Sequence, residues 1–109
     1  MKRKQLIRDN FREAVFKRDG HKCRKCGVKQ TEVKLDAHHI TNREAMPNGG
    51  YVVDNGIALC DTADGCHMKA EQFYISEGTE YPEGFHPNEL YTLVGSSYEK
   101  AVKASERLK

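Results

Sequence analysis

The chain has 109 residues, the size of one ordinary domain. Hydrophobic residues make up 38% and charged residues 31%, with a mean hydropathy of −0.78. These figures set aside membrane-spanning, collagenous and wholly disordered classes, since no apolar run approaches the roughly 18 residues of a membrane span. A secretory signal is not expected either: Met1-Lys2-Arg3-Lys4 is basic, but no apolar stretch or small-residue cleavage site follows it. The net charge of +2 hides an asymmetry, with +8 on residues 1–34 and −6 on residues 35–109. A basic half suits a polyanion partner, and it equally suits a solvated amphipathic helix.

Leu6, Ile7, Phe11, Ala14 and Val15 recur at helical spacing, with Lys and Arg on the other faces. Asp19-Gly20 stops the pattern, so residues 3–18 are predicted to form a helix with a basic outer face. Cys23-Arg24-Lys25-Cys26-Gly27 reads as a tight turn. Residues 33–40 mix β-branched and apolar side chains with two histidines and read as a short strand. Residues 42–50 form a loop marked by Pro47-Asn48-Gly49-Gly50. Tyr51-Val52-Val53 suits a strand or an extended loop. Asp54-Asn55-Gly56 is a turn signal before the apolar run at 57–60. Residues 66–76 can form a helix with Ala70, Phe73 and Tyr74 on one side. From Leu90 to Leu108 apolar and small residues keep i, i+3, i+4 spacing, and Pro87 fits a first helical position. The predicted organisation is one domain over 1–109. It comprises a basic helix (1–20), a cysteine-bearing core (21–76), a connector (77–87) and a C-terminal packing helix (88–109).

So polar a chain of this length has a thin apolar core, and a staple is expected. Cys23-x2-Cys26 and Cys60-x5-Cys66 form two pairs separated by 33 residues. Two thiolates on a tight turn grip one corner of a tetrahedron and a second turn closes it, which suits a structural Zn2+. Two disulfides are the alternative, disfavoured under reducing conditions. His38-His39 end the predicted strand, and His67 follows Cys66 directly. Neighbouring strand residues point to opposite faces, so His38 and His39 cannot form the paired histidines of a zinc finger. Their divergence suits a metal ligand on one side and a free base on the other.

Asp36-Ala37-His38-His39-Ile40, Gly49-Gly50, Asn55-Gly56-Ile57-Ala58-Leu59-Cys60 and Cys66-His67-Met68-Lys69, led in by residues 16–27, resemble the HNH (ββα-metal) endonucleases of the four-cysteine branch. The resemblance covers roughly residues 11–70. It implies an α+β fold with a small ββα-metal (His-Me finger) core and a four-cysteine zinc knuckle, flanked by N- and C-terminal helices. It implies His39 as general base, His38 and His67 as ligands of a catalytic divalent ion, and Asn55 as a brace of the loop. Cys23, Cys26, Cys60 and Cys66 match the structural zinc site. Arg43 and Lys69 lie near these positions and are candidate phosphate contacts. Gly56 stands where the family usually has leucine.

The implied activity is hydrolysis of DNA phosphodiesters to 5′-phosphate and 3′-hydroxyl ends. A neutral imidazole near pKa 6.5 can take a proton from water. Two His ligands would accept Mn2+, Ni2+ or Zn2+ as well as Mg2+. No base-reading code stands out, so weak sequence preference is expected on double-stranded DNA, with a partner protein or a homodimer as further possibilities. The resemblance also implies the cytoplasm of a bacterium or a phage-infected host. The competing expectation is a zinc-containing nucleic-acid-binding module without catalysis, which needs none of the three histidines.

Overall fold

The computed structural model describes residues 2–108; Met1 and Lys109, the outer bounds of the predicted domain, lie outside the described residues. Helix α1 (Lys2–Arg18) carries Lys17 and Arg18 in its last turn, where cations complement the helix dipole. It ends at Gly20, whose φ of +71° needs no Cβ. Phe11, Val15 and Phe16 are buried, whereas Leu6 is 59% exposed and Ala14 is also exposed. The apolar stripe is thus narrower than the spacing predicts, because only the C-terminal half of α1 lies on the sheet.

The sheet has two antiparallel strands, β1 (Leu35–His39) and β2 (Gly56–Cys60), with Leu35 opposite Cys60 and His39 opposite Gly56. Every residue of β2 is buried. Helix α1 presses directly on the start of this strand. A Cβ at Gly56 would lie 2.4 Å from Val15 Cγ2 and 2.9 Å from the Phe11 ring. A leucine cannot occupy that space, which gives a physical reason for the glycine.

Asp19, read from sequence only as a helix stop, is a buried tie between elements. Its carboxylate accepts from Arg18 Nε (2.7 Å), Arg24 Nη1 (2.9 Å) and the backbone N–H of Ala58 (2.8 Å). Arg18 also donates to the carbonyls of Val53 and Gly56, and Arg24 to that of Leu93. Two cations of the basic half are therefore spent on holding α1 and the cysteine turn to β2. This geometry meets the condition under which a buried charge is tolerated, being both paired and hydrogen-bonded.

Between the strands the chain makes three short 3-10 turns, at Arg43–Ala45, Pro47–Gly50 and Val53–Asn55. Tyr51-Val52-Val53 is accordingly not a strand. Helix α2 (Cys66–Ile75) follows β2. The single C-terminal helix expected over 88–109 is two helices, α3 (Pro87–Leu93) and α4 (Tyr98–Glu106). Gly95 at φ +72° breaks the run, and the Ser97 side chain caps α4 by accepting from Lys100 N. Pro87 does sit in the first turn of α3, behind a cap formed by His86 and Glu89. Val15, Ile40, Ile57, Leu59, Leu90 and Ala101, all at most 1% exposed, join α1, the sheet and both C-terminal helices in one core. The result is a small α+β fold, and no described helix is long and apolar enough to cross a membrane.

Candidate metal centres

The two cysteine pairs meet at one point. One turn lies between α1 and β1, and the other joins the end of β2 to the start of α2. The sulfurs of Cys23, Cys26, Cys60 and Cys66 all lie within 4.8 Å of one another. All four cysteines are free thiols, with Cys26 Sγ 3.7 Å from Cys60 Sγ. Cys26 N donates to Cys23 Sγ (3.4 Å) and Cys66 N to Cys60 Sγ (3.2 Å), so each turn aims a backbone N–H at a sulfur. Burial opposes ionisation of Cys23, but the backbone N–H groups around it prevail and bring its pKa down to about 7. Burial and the neighbouring sulfurs push Cys66 up. Several such thiols side by side resist ionising together unless a cation compensates them. A four-sulfur set of this size can hold one structural zinc. The five-residue gap of the second pair fits because Gly65 is packed tightly. A Cβ there would stand 2.8 Å from the Cys60 carbonyl.

The second cluster lies one residue further along α2. His67 is carried into place by the start of that helix, directly after the Cys66 sulfur. Its ring centroid is 5.4 Å from that of His38, and ligand atoms of Asp36, His38 and His67 lie within 4.8 Å of one another. His67 Nε2 is 3.2 Å from Asp36 Oδ2 and 3.4 Å from Glu71 Oε2, while its Nδ1 is 3.5 Å from Asp61 Oδ1. The Glu71 hydrogen bond, together with the other carboxylates, raises the His67 pKa to about 9 against the effect of burial. Glu71 Oε2 also lies 3.2 Å from His38 Nδ1, and its bonds to both imidazoles hold its carboxyl well below the usual range.

His38 is 2% exposed, and its Nε2 is buried without a hydrogen-bond partner among the described residues. A buried ring nitrogen left unpaired is costly, and a bound ion is one group that would pair it. With Nδ1 held by a carboxylate, His38 has the arrangement usual for a metal-binding imidazole. The donors of nitrogen and oxygen fit a divalent ion. The two-histidine set expected from the sequence gains Asp36 as a third candidate ligand, with Glu71 bonded to the His38 ring beside it. Both were readable there: Asp36 shares a strand face with His38, and Glu71 lies four residues after His67 on a helix.

His39 points away from this cluster. Its ring stacks on Phe11 at 4.6 Å and meets the edge of Tyr51 at 4.7 Å. Burial and the nearby cationic side chains lower its pKa to about 4, so the ring is neutral at physiological pH. Its Nε2 is buried and unpartnered, whereas Nδ1 is not among the buried unpartnered atoms.

Asn55 is fully buried. Its side chain accepts from Thr41 N (2.9 Å) and Tyr91 Oη (2.7 Å), and donates to the carbonyls of Thr41 (3.1 Å) and Gly50 (3.2 Å). It ties both ends of the loop to the residues just after β1. Tyr91, from α3, also lies 2.6 Å from Thr41 Oγ1, a contact no sequence spacing announces. Arg43 donates to Tyr51 Oη (2.9 Å), beside His39. Lys69 is exposed on α2, and no contact joins it to either cluster.

Comparison with known proteins returns nothing: no family model, no curated protein and no solved structure matches the chain.

Proposed function

We propose that this protein is a metal-dependent DNA endonuclease of the HNH type, with a structural zinc at the four cysteines and a divalent ion at His38, His67 and Asp36. The observation that carries the reading is the meeting of His67 with His38, which lie 29 positions apart in sequence and have rings 5.4 Å apart. A binding module without catalysis has no need of that convergence, nor of three carboxylates crowding it.

Each residue then has a chemical task. Asp36, His38 and His67 hold the ion, and Glu71 fixes the His38 ring through Nδ1. When bound, the ion supplies Lewis-acid stabilisation of charge developing on the phosphate and the leaving oxygen. His39, neutral at physiological pH, takes the proton from the attacking water at its free ring nitrogen Nδ1. Phe11 and Tyr51 hold the His39 ring in one orientation from two sides. Asn55 keeps the loop that carries Arg43 against the end of β1. The oxygen donors suit Mg2+ better than two histidines alone, while the imidazoles keep Mn2+ and Ni2+ acceptable.

The test is conversion of supercoiled plasmid by the zinc-loaded protein with added Mg2+, Mn2+ or Ni2+. Nicked circles are expected with at least one ion, with slower conversion when no divalent ion is added. Plasmid that binds but stays supercoiled under every ion contradicts the nuclease reading and leaves a zinc-bearing binder.

A further inference from the structure

Beyond the metal cluster, the strongest unexplained charge arrangement lies on the other side of His39. Tyr51 packs against His39, and its hydroxyl accepts from the Arg43 guanidinium with Arg8 lining the cleft beside it. Arg43 Nη1 donates to this hydroxyl at 2.9 Å from the loop after β1, and Arg8, exposed on α1, lines the same cleft as Tyr51. Burial works against ionisation of the phenol, but the two nearby arginines prevail and lower its pKa. A neutral phenol does not compensate two cations. Among the described residues no carboxylate lies within 4.0 Å of either guanidinium, and Glu44 acts on Arg43 only at longer range. Arg18 of α1 and Arg24 of the cysteine turn behave differently, since both are paired with Asp19. Beside Tyr51 a cleft of about 280 Å³ opens, lined also by Lys4, Arg8 and Asn48. Lys4 thus stands beside Arg8 in an opening whose wall includes Tyr51, the ring packed on the proposed base.

We propose that Arg8, Arg43 and Tyr51 form a seat for a backbone phosphate of the bound nucleic-acid strand next to the one hydrolysed. This rests on the nuclease reading for its place beside His39, although the seat itself is defined by charge and geometry alone. Guanidiniums present forked donors that match phosphate oxygens, and the Tyr51 hydroxyl sets their separation. Such contacts position the strand without reading its bases. Arg8 is thereby given a role that sequence spacing did not assign, and α1 contributes to the grip through this one turn rather than through its whole basic face.

The experiment follows the arginine Nε–Hε resonances of ¹⁵N-arginine-labelled protein, assigned with Arg8→Gln and Arg43→Gln, during titration with inorganic phosphate or with a short DNA duplex. Both resonances are expected to move together and saturate with the duplex. In parallel, each substitution is expected to reduce the slope of log K against log salt by about 0.9, the loss of one phosphate contact. Lys103→Gln, on the exposed side of α4, is expected to leave that slope unchanged. Movement with inorganic phosphate as well assigns recognition to the phosphate group itself; movement with the duplex alone assigns it to the polymer backbone. Resonances that stay still with both probes, or slopes equal to wild type in both variants, overturn the seat. Failure of the nuclease reading looks different: the arginines respond to duplex while plasmid remains uncut.

Discussion

Alanine at His39 is expected to abolish plasmid nicking and to leave duplex binding nearly unchanged. A positioned general base is worth roughly 10²–10⁴-fold in rate. The loss is specific because His39 belongs to neither cluster of candidate metal ligands. Its ring is, however, packed between Phe11 and Tyr51, so alanine leaves a gap in that corner. Far-ultraviolet circular dichroism and zinc content separate the two effects, since both are expected to match wild type. Equal nicking by wild type and variant would remove His39 from the chemistry, whatever the fate of the ion.

Cys23→Ser has the largest expected effect on stability. Serine nearly preserves the shape of cysteine, so packing alone changes little at this 2% exposed position. What changes is the fourth sulfur. A structural zinc contributes roughly 10–16 kcal/mol of apparent binding energy at neutral pH. Domain stability as a whole is only about 5–15 kcal/mol. Loss of the ion therefore frees the turn at residues 23–26 and the start of α2, which carries His67. Metal analysis is expected to show zinc well below one per chain, and the melting temperature is expected to fall by more than 10 °C, at roughly 4–8 °C per kcal/mol for a domain of this size. Zinc content equal to wild type would refute the sulfur centre.

What the sequence made legible follows from which interactions are local. The cysteine spacing announced two turns, and the structure joins them. The histidine doublet announced two diverging rings, and His38 and His39 do face α2 and α1 respectively. The strand-face and helix-turn offsets that place Asp36 and Glu71 were also present, but were not used. The break between α3 and α4 had a signal in Gly95-Ser96-Ser97, overridden by the apolar periodicity on both sides. Other features have no local signature. The Asp19 tie reaches Ala58, and Tyr91 reaches Asn55 across 36 positions, so both depend on how finished elements pack. The role of the basic N-terminal half likewise depends on packing, which pairs Arg18 and Arg24 with Asp19 and leaves Arg8 on the exposed face.

Two ions held a short distance apart by the same helix start are the central expectation. Anomalous diffraction from a crystal grown with zinc and soaked in Mn2+, collected on either side of each absorption edge, addresses it directly. The expected map has a zinc peak among the sulfurs of Cys23, Cys26, Cys60 and Cys66. It also has a manganese peak bounded by Asp36, His38 and His67. A zinc peak with no second density between the two imidazoles would contradict the account.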